Sequence, residues 1–181
     1  MAEPAVHQLG EKDPDVAIVW RAFELRPDPV PTLDPNGDYL QRVWGNSVYP
    51  LAEQLGVEIK LPPVQLRSRR AHEAAHWARR HGNFREYNDA LFRAFFQRGE
   101  DIGKTDVLAR IASDMGLESD DLREALANDL YVENVLADER EVKKLGLSGV
   151  PAFVANRRIA LRGVQSVKNL QKFVGHARLL S

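Results

Sequence analysis

The sequence contains no cysteine. That excludes a disulfide, a thiolate metal site and any redox chemistry run on a thiol of its own. It also lacks an excess of charge: 25 Lys and Arg stand against 26 Asp and Glu, a formal net charge of −1. Such a balance gives no electrostatic footprint for nucleic acid or an anionic membrane surface, and neither is expected as a partner. No apolar run approaches the roughly 18 residues that span a bilayer. The opening stretch MAEPAVHQLGEKDPD has neither a basic start nor an apolar core, so it does not read as a signal peptide. Repeats and low-complexity segments are missing too. What remains is 181 residues, 44% hydrophobic and 28% charged. This is the profile of an ordinary globular protein with a real core, expected in the cytoplasm.

DVAIVWRAFEL, Asp15 to Leu25, is rich in β-branched and aromatic residues, and Val16 to Trp20 is continuously apolar. That pattern predicts a strand buried on both faces. Four prolines between Pro27 and Pro35 then predict an extended exit loop and a boundary. From Asp38 to about Leu145 the apolar spacing is helical. Leu40, Val43, Trp44, Leu51, Ala52 and Leu55 mark the first faces, with Pro50 dividing or kinking them and Gly56 as a C-cap. Further helices are predicted from Ser68 to His81, after Asn83, from Thr105, from Ser119 and from about Tyr131. The helix after Asn83 carries Phe84, Tyr87, Leu91, Phe92, Phe95 and Phe96 as its expected buried stripe. The period then switches. PAFVA and IALRG flank Asn156-Arg157-Arg158 as a β-hairpin, and Ser166 caps a last helix. One strand, a helical block, a hairpin and a helix make a meagre sheet for so apolar a strand.

Four stretches carry a family resemblance, in order along the chain: VWRAFELRPD, LRSRRAHEAAHWARRHG, LFRAFFQRGEDIGKTDVLARIASDMGL and GLSGVPAFVANRRIALRGVQS. Together they resemble the DsbA family of thiol-disulfide oxidoreductases, and within it the cytoplasmic FrnE-like branch. The resemblance implies an α/β, thioredoxin-like fold with a large all-helical insertion and its first strand missing. Residues 1–36 and 146–181 would form the discontinuous thioredoxin-like domain, and 37–145 the insertion. MAEPAVHQLG resembles the tail of the family's first helix, so the family's first strand and Cys-x-x-Cys motif would lie ahead of Met1. That strand runs between the second strand and the hairpin. Without it, buried backbone groups go unpaired at about 1–3 kcal/mol each. The expectation is a chain less stable than its full-length relatives, or one that fills the gap with a strand from another copy as a homodimer.

The resemblance also implies a site. Val150-Pro151 would be cis, and Gly149, Val150 and Pro151 would form a substrate-binding loop that pairs with an extended peptide. The implied partners are protein or peptide substrates bearing thiols or disulfides. The chemistry needs a thiolate of lowered pKa and a second, resolving thiol. Neither exists here, so no catalytic residue is assigned, no cofactor is implied, and disulfide exchange is expected to be absent. Two other readings stand beside this one: a glutathione-dependent enzyme of the kappa-transferase or 2-hydroxychromene-2-carboxylate isomerase kind, and a non-catalytic peptide-binding module.

HEAAH, His72 to His76, also fits the zinc motif H-E-x-x-H, with His72 and His76 as ligands and Glu73 as base. The longer version of that motif wants Gly and His where this chain has Arg79 and Gly82, and His81 comes one residue early. No metal is therefore assigned. His72 is expected partly buried and His76 at the helix surface. Arg67, Arg69, Arg70, Arg79 and Arg80 are read as a solvated basic face rather than a binder of an anion such as glutathione.

Overall fold

A computed structural model of the protein describes residues 1–64 and 67–180. The chain divides into two units, Met1–Arg21 with Arg140–Ser181, and Ala22–Glu139. Helix α8 (Val132–Lys144) belongs partly to each.

The larger unit is helical. It holds α2 (Asp38–Val43), a π-helical turn (Trp44–Val48), α3 (Tyr49–Leu55), α4 (Arg69–Arg80), α5 (Phe84–Phe96), α6 (Thr105–Asp114), α7 (Ser119–Ala127) and the start of α8. Pro50 sits in the first turn of α3, where its missing N–H costs nothing, and the π-turn just ahead of it marks the expected break. Helix α4 presents Ala71, Ala74, Ala75 and Ala78, all buried. These small side chains let α5, α6 and α7 approach it closely. Trp77, Tyr87, Leu108 and Leu122 fill the space between, each 1% exposed or less. Their polar tips are satisfied. Tyr87 Oη donates to the Leu108 carbonyl at 2.9 Å, and Trp77 Nε1 donates to Asp121 at 2.6 Å. Burial pushes the Tyr87 phenol pKa far up. Gly99 is required as glycine: its φ is +68°, and a Cβ would lie 2.9 Å from Pro63 Cδ.

The expected α5 stripe is shifted. Tyr87, Leu91 and Ala94 are the buried residues, whereas Phe84, Phe92, Phe95 and Phe96 are half-buried. Six aromatic and aliphatic residues make a stripe wider than one contact face. Phe96 turns instead to Phe92 and Trp44, with ring centroids 6.3 and 6.2 Å away.

The smaller unit holds α1 (Glu3–Lys12), the end of α8, the hairpin β1 (Ala152–Ala155) and β2 (Ile159–Arg162), and α9 (Val167–Leu179). Val6, Leu9 and Leu170 form its core, joined by Val16, Trp20, Phe153, Leu161 and Val174. The hairpin pairs Ala152 with Arg162 and Ala155 with Ile159. Its turn is closed by Arg158 N–H to Ala155 O at 3.0 Å, with Asn156 and Arg157 in the left-handed region. Ser166 Oγ accepts the Asn169 N–H at 3.2 Å and caps α9.

The predicted strand at Asp15–Leu25 is corrected. Residues 16–24 belong to no strand, and the one sheet among the described residues is β1–β2. Nor is the segment buried on both faces: Val16 and Trp20 join the core, but Ile18 is 38% and Val19 61% exposed. The composition demands neighbours on both edges, and no described strand supplies them. An extended backbone without a partner strand cannot form a ladder.

Candidate functional site

The proline loop follows α8. Gly146 ends the helix at φ +64°, and the Leu147 N–H returns to Val142 O at 3.1 Å. Arg162 of β2 donates to Gly146 O at 2.9 Å, and the Gly163 N–H donates to Pro151 O at 2.9 Å. These bonds fix the two ends of the loop. The Val150–Pro151 peptide bond is cis. Between the fixed ends, Val150 is 53% exposed and the space above Gly149 is open. Among the described residues, the backbone N–H and C=O groups of Gly149 and Val150 have no hydrogen-bond partner. The loop thus offers unpaired main-chain donors and acceptors beside the start of β1, which suits an extended peptide. It holds no nucleophile, and the chain has no thiol to supply one.

The H-E-x-x-H segment does something else. His72 and His76 share a face of α4, one turn apart. His72 Nε2 donates to Phe23 O at 3.2 Å, and His76 Nε2 bonds Asp138 Oδ2 at 3.1 Å. Both Nε2 atoms are spent on protein acceptors. His72, Glu73 and His76 belong to no group of three ligand atoms within 4.8 Å among the described residues. Burial, countered in part by Glu24 and the Phe23 carbonyl, holds the His72 pKa below its usual value. Glu73 points the other way and is buried, with Oε2 unpaired among the described residues, and burial raises its pKa. The expectation of a surface His76 is corrected: its side chain is only 11% exposed, because Asp138 draws it inward.

These side chains grip one short stretch of backbone. Asp138, 2% exposed, accepts the Ala22 N–H at 2.9 Å as well as His76. Arg69 pairs with the buried Glu24. The Glu139 carboxyl lies against Glu24, and burial together with that neighbour raises its pKa. Residues 22–24 are therefore held by side chains of α4 and α8 in place of a strand. Sequence reasoning missed Asp138, Glu24 and Glu139. One signal was present: Asp138 falls three residues after Val135 and four before Val142, a charge on an apolar helical stripe.

The five arginines are not one solvated face. Arg67 donates to the carbonyls of Arg26 and Val30 at 2.9 and 2.7 Å, and Arg70 to Leu126 O at 3.3 Å. Arg79 stacks 4.3 Å over the Phe84 ring. Arg80 lines an open hollow of about 460 Å³ with His76, Arg79, Leu130, Tyr131 and Asn134. No helix among the described residues is long and apolar enough to cross a membrane.

Comparison with known proteins agrees with this architecture. The protein YwbO of Bacillus subtilis (strain 168), described as uncharacterized, is 37% identical over 147 residues, 79% of this chain and 74% of YwbO. Two solved structures share the fold. A "probable DsbA oxidoreductase" from Streptomyces coelicolor superposes with a TM-score of 0.74 at 22% identity, covering 97% of this chain and 84% of that one. A 2-hydroxychromene-2-carboxylate isomerase reaches 0.76 at 14% identity, covering 97% and 87%. The DSBA-like thioredoxin domain family matches residues 1–175, and the chain belongs to that family.

Proposed function

We propose that these 181 residues act as a peptide-binding member of the DsbA-like family, of the FrnE-like branch, and carry out no thiol-disulfide exchange of their own. One observation carries the reading: a loop with free, exposed backbone at Gly149 and Val150, in a chain with no cysteine. An extended segment of a protein substrate pairs its main chain with the loop, and the side chains around Val150 select what docks. A cytoplasmic location belongs to the same proposal and rests on the sequence reading alone.

The test is fluorescence anisotropy of a labelled, cysteine-free extended peptide against the full chain. Val150→Pro removes one donor. Gly149→Arg covers the approach at a position whose surroundings are open. Both variants are expected to weaken binding at least about tenfold, the scale of one or two lost hydrogen bonds. Equal affinity in both would refute the loop as the site. Insulin reduction should stay at the background rate of the added reductant.

A second reading follows from the likeness to the 2-hydroxychromene-2-carboxylate isomerase structure. It is a glutathione-dependent isomerase. Calorimetric binding of glutathione, without binding of the peptide, would put that reading first.

A further inference from the structure

The hollow beside the end of α4 has an uneven lining. His76, Arg79 and Arg80 come from α4, Leu130 and Tyr131 from the link between α7 and α8, and Asn134 from the first turn of α8. The α4 set meets there because residues at i, i+3 and i+4 share a helix face. The link is fixed from within: the Leu130 N–H donates to Ala125 O at 3.0 Å, and the Val132 N–H to Asp129 O at 3.2 Å. Tyr131 also packs against the main core of the helical unit. Two guanidiniums therefore share the hollow with an apolar side chain, Leu130, that is 61% exposed. No residue of the lining is acidic, and Asp138, which holds His76, is buried and does not reach it. Three polar groups of the lining have no partner among the described residues: the Arg80 guanidinium, the Asn134 amide and the Tyr131 hydroxyl. A volume of about 460 Å³ with a few convergent polar groups is what a small-molecule site offers.

We propose that this hollow binds a small organic monocarboxylate with an apolar body. Arg80 takes the carboxylate through two parallel N–H donors, and the Asn134 amide adds another. Arg79, stacked 4.3 Å over the Phe84 ring, adds positive charge without leaving its stack. Leu130 and the Tyr131 ring cover the apolar body. Charge decides between anions. One unpartnered guanidinium matches a single negative charge, whereas a phosphate dianion calls for more donors and gains nothing from Leu130. The site stands apart from the proline loop, with which it shares no residue.

Titration of the isotope-labelled full chain with benzoate, followed by two-dimensional NMR, tests this. The amide signals of Leu130, Tyr131 and Asn134 are expected to move together and saturate, with a Kd on the order of 1 mM for so small a ligand. Benzyl alcohol has the apolar body without the charge, and inorganic phosphate the charge without the body. Each should bind at least about tenfold more weakly. Arg80→Gln, at an exposed position, should weaken benzoate by about tenfold or more, the scale of lost charge-assisted hydrogen bonds. Leu130→Ser should weaken it severalfold. Lys172→Gln, exposed on α9, removes the same charge elsewhere and should leave the constant unchanged. The proposal is overturned if those signals do not saturate, or if R80Q binds benzoate like the wild type. Phosphate binding as tightly as benzoate would overturn it in favour of a bare anion site, and benzyl alcohol doing so in favour of a plain apolar cleft. A failed peptide titration at Gly149 leaves these outcomes untouched.

Discussion

Asp138 is the side chain whose loss should be felt most. Asp138→Ala removes the acceptor of two donors at once, the Ala22 N–H and His76 Nε2. Ala22 is 6% exposed and His76 11% on its side chain, so water does not freely replace what is lost. An orphaned buried donor costs about 1–3 kcal/mol, and the imidazole adds a similar amount. Together the penalty is roughly 3 kcal/mol, a large share of the 5–15 kcal/mol typical of a folded protein. For a chain of this size each kcal/mol shifts Tm by about 2–4 °C, so D138A should melt about 6–12 °C lower. Asp138→Asn keeps an oxygen for Ala22 and should lose about half as much. Asp114→Ala, which breaks an exposed pair to Arg110, should shift Tm by no more than about 2 °C. Thermal melts by circular dichroism decide. A D138A protein melting within about 2 °C of wild type would refute the claim that α4 and α8 hold residues 22–24 through this carboxylate.

Two further outcomes follow from the same structure. His72 has a folded-state pKa below 6.5, so the unfolded chain binds the extra proton and stability is full above that value, then falls as pH drops below it. His72→Gln keeps a donor for Phe23 O but cannot titrate, so urea melts between pH 7 and pH 5 should show a flatter decline than wild type; parallel curves would contradict the assignment. Ser166→Ala deletes the cap of α9 and should cost about 1 kcal/mol in the same melts, with Ser166→Asp restoring most of it.

The sequence made the local features legible. Ser166 and Gly56 mark helix ends because capping depends on residues within one turn. Asn156 and Arg158 mark the hairpin because a tight turn is a local event. The run Val16 to Trp20 was legible only in part. Its composition reports the surroundings a strand needs, whereas its pairing depends on which strands the chain contains. The grip on residues 22–24 was not legible. Ala22 and Asp138 are 116 residues apart, and His76 and Asp138 are 62 apart. No periodicity within a helix encodes a partner at that distance. The zinc motif meets the same limit: two histidines on one helical face state a geometry, and the acceptors opposite them decide its use.

Arg67 has a consequence for how this protein tolerates change. The stretch from Pro27 to Pro35 is poor in N–H groups, since each proline removes one. Its carbonyls must borrow donors, and a single guanidinium serves both Arg26 and Val30. Gln41 reaches back to Pro35 O at 2.9 Å, and the middle of the path leans on a residue 37 positions beyond Val30. A lysine there retains the charge but not the second nitrogen: Nη1 of Arg67 serves both carbonyls while Nη2 faces Asp28 at 3.4 Å. What looks like a permissive linker is thus anchored by a residue outside it, one that no inspection of the linker would single out.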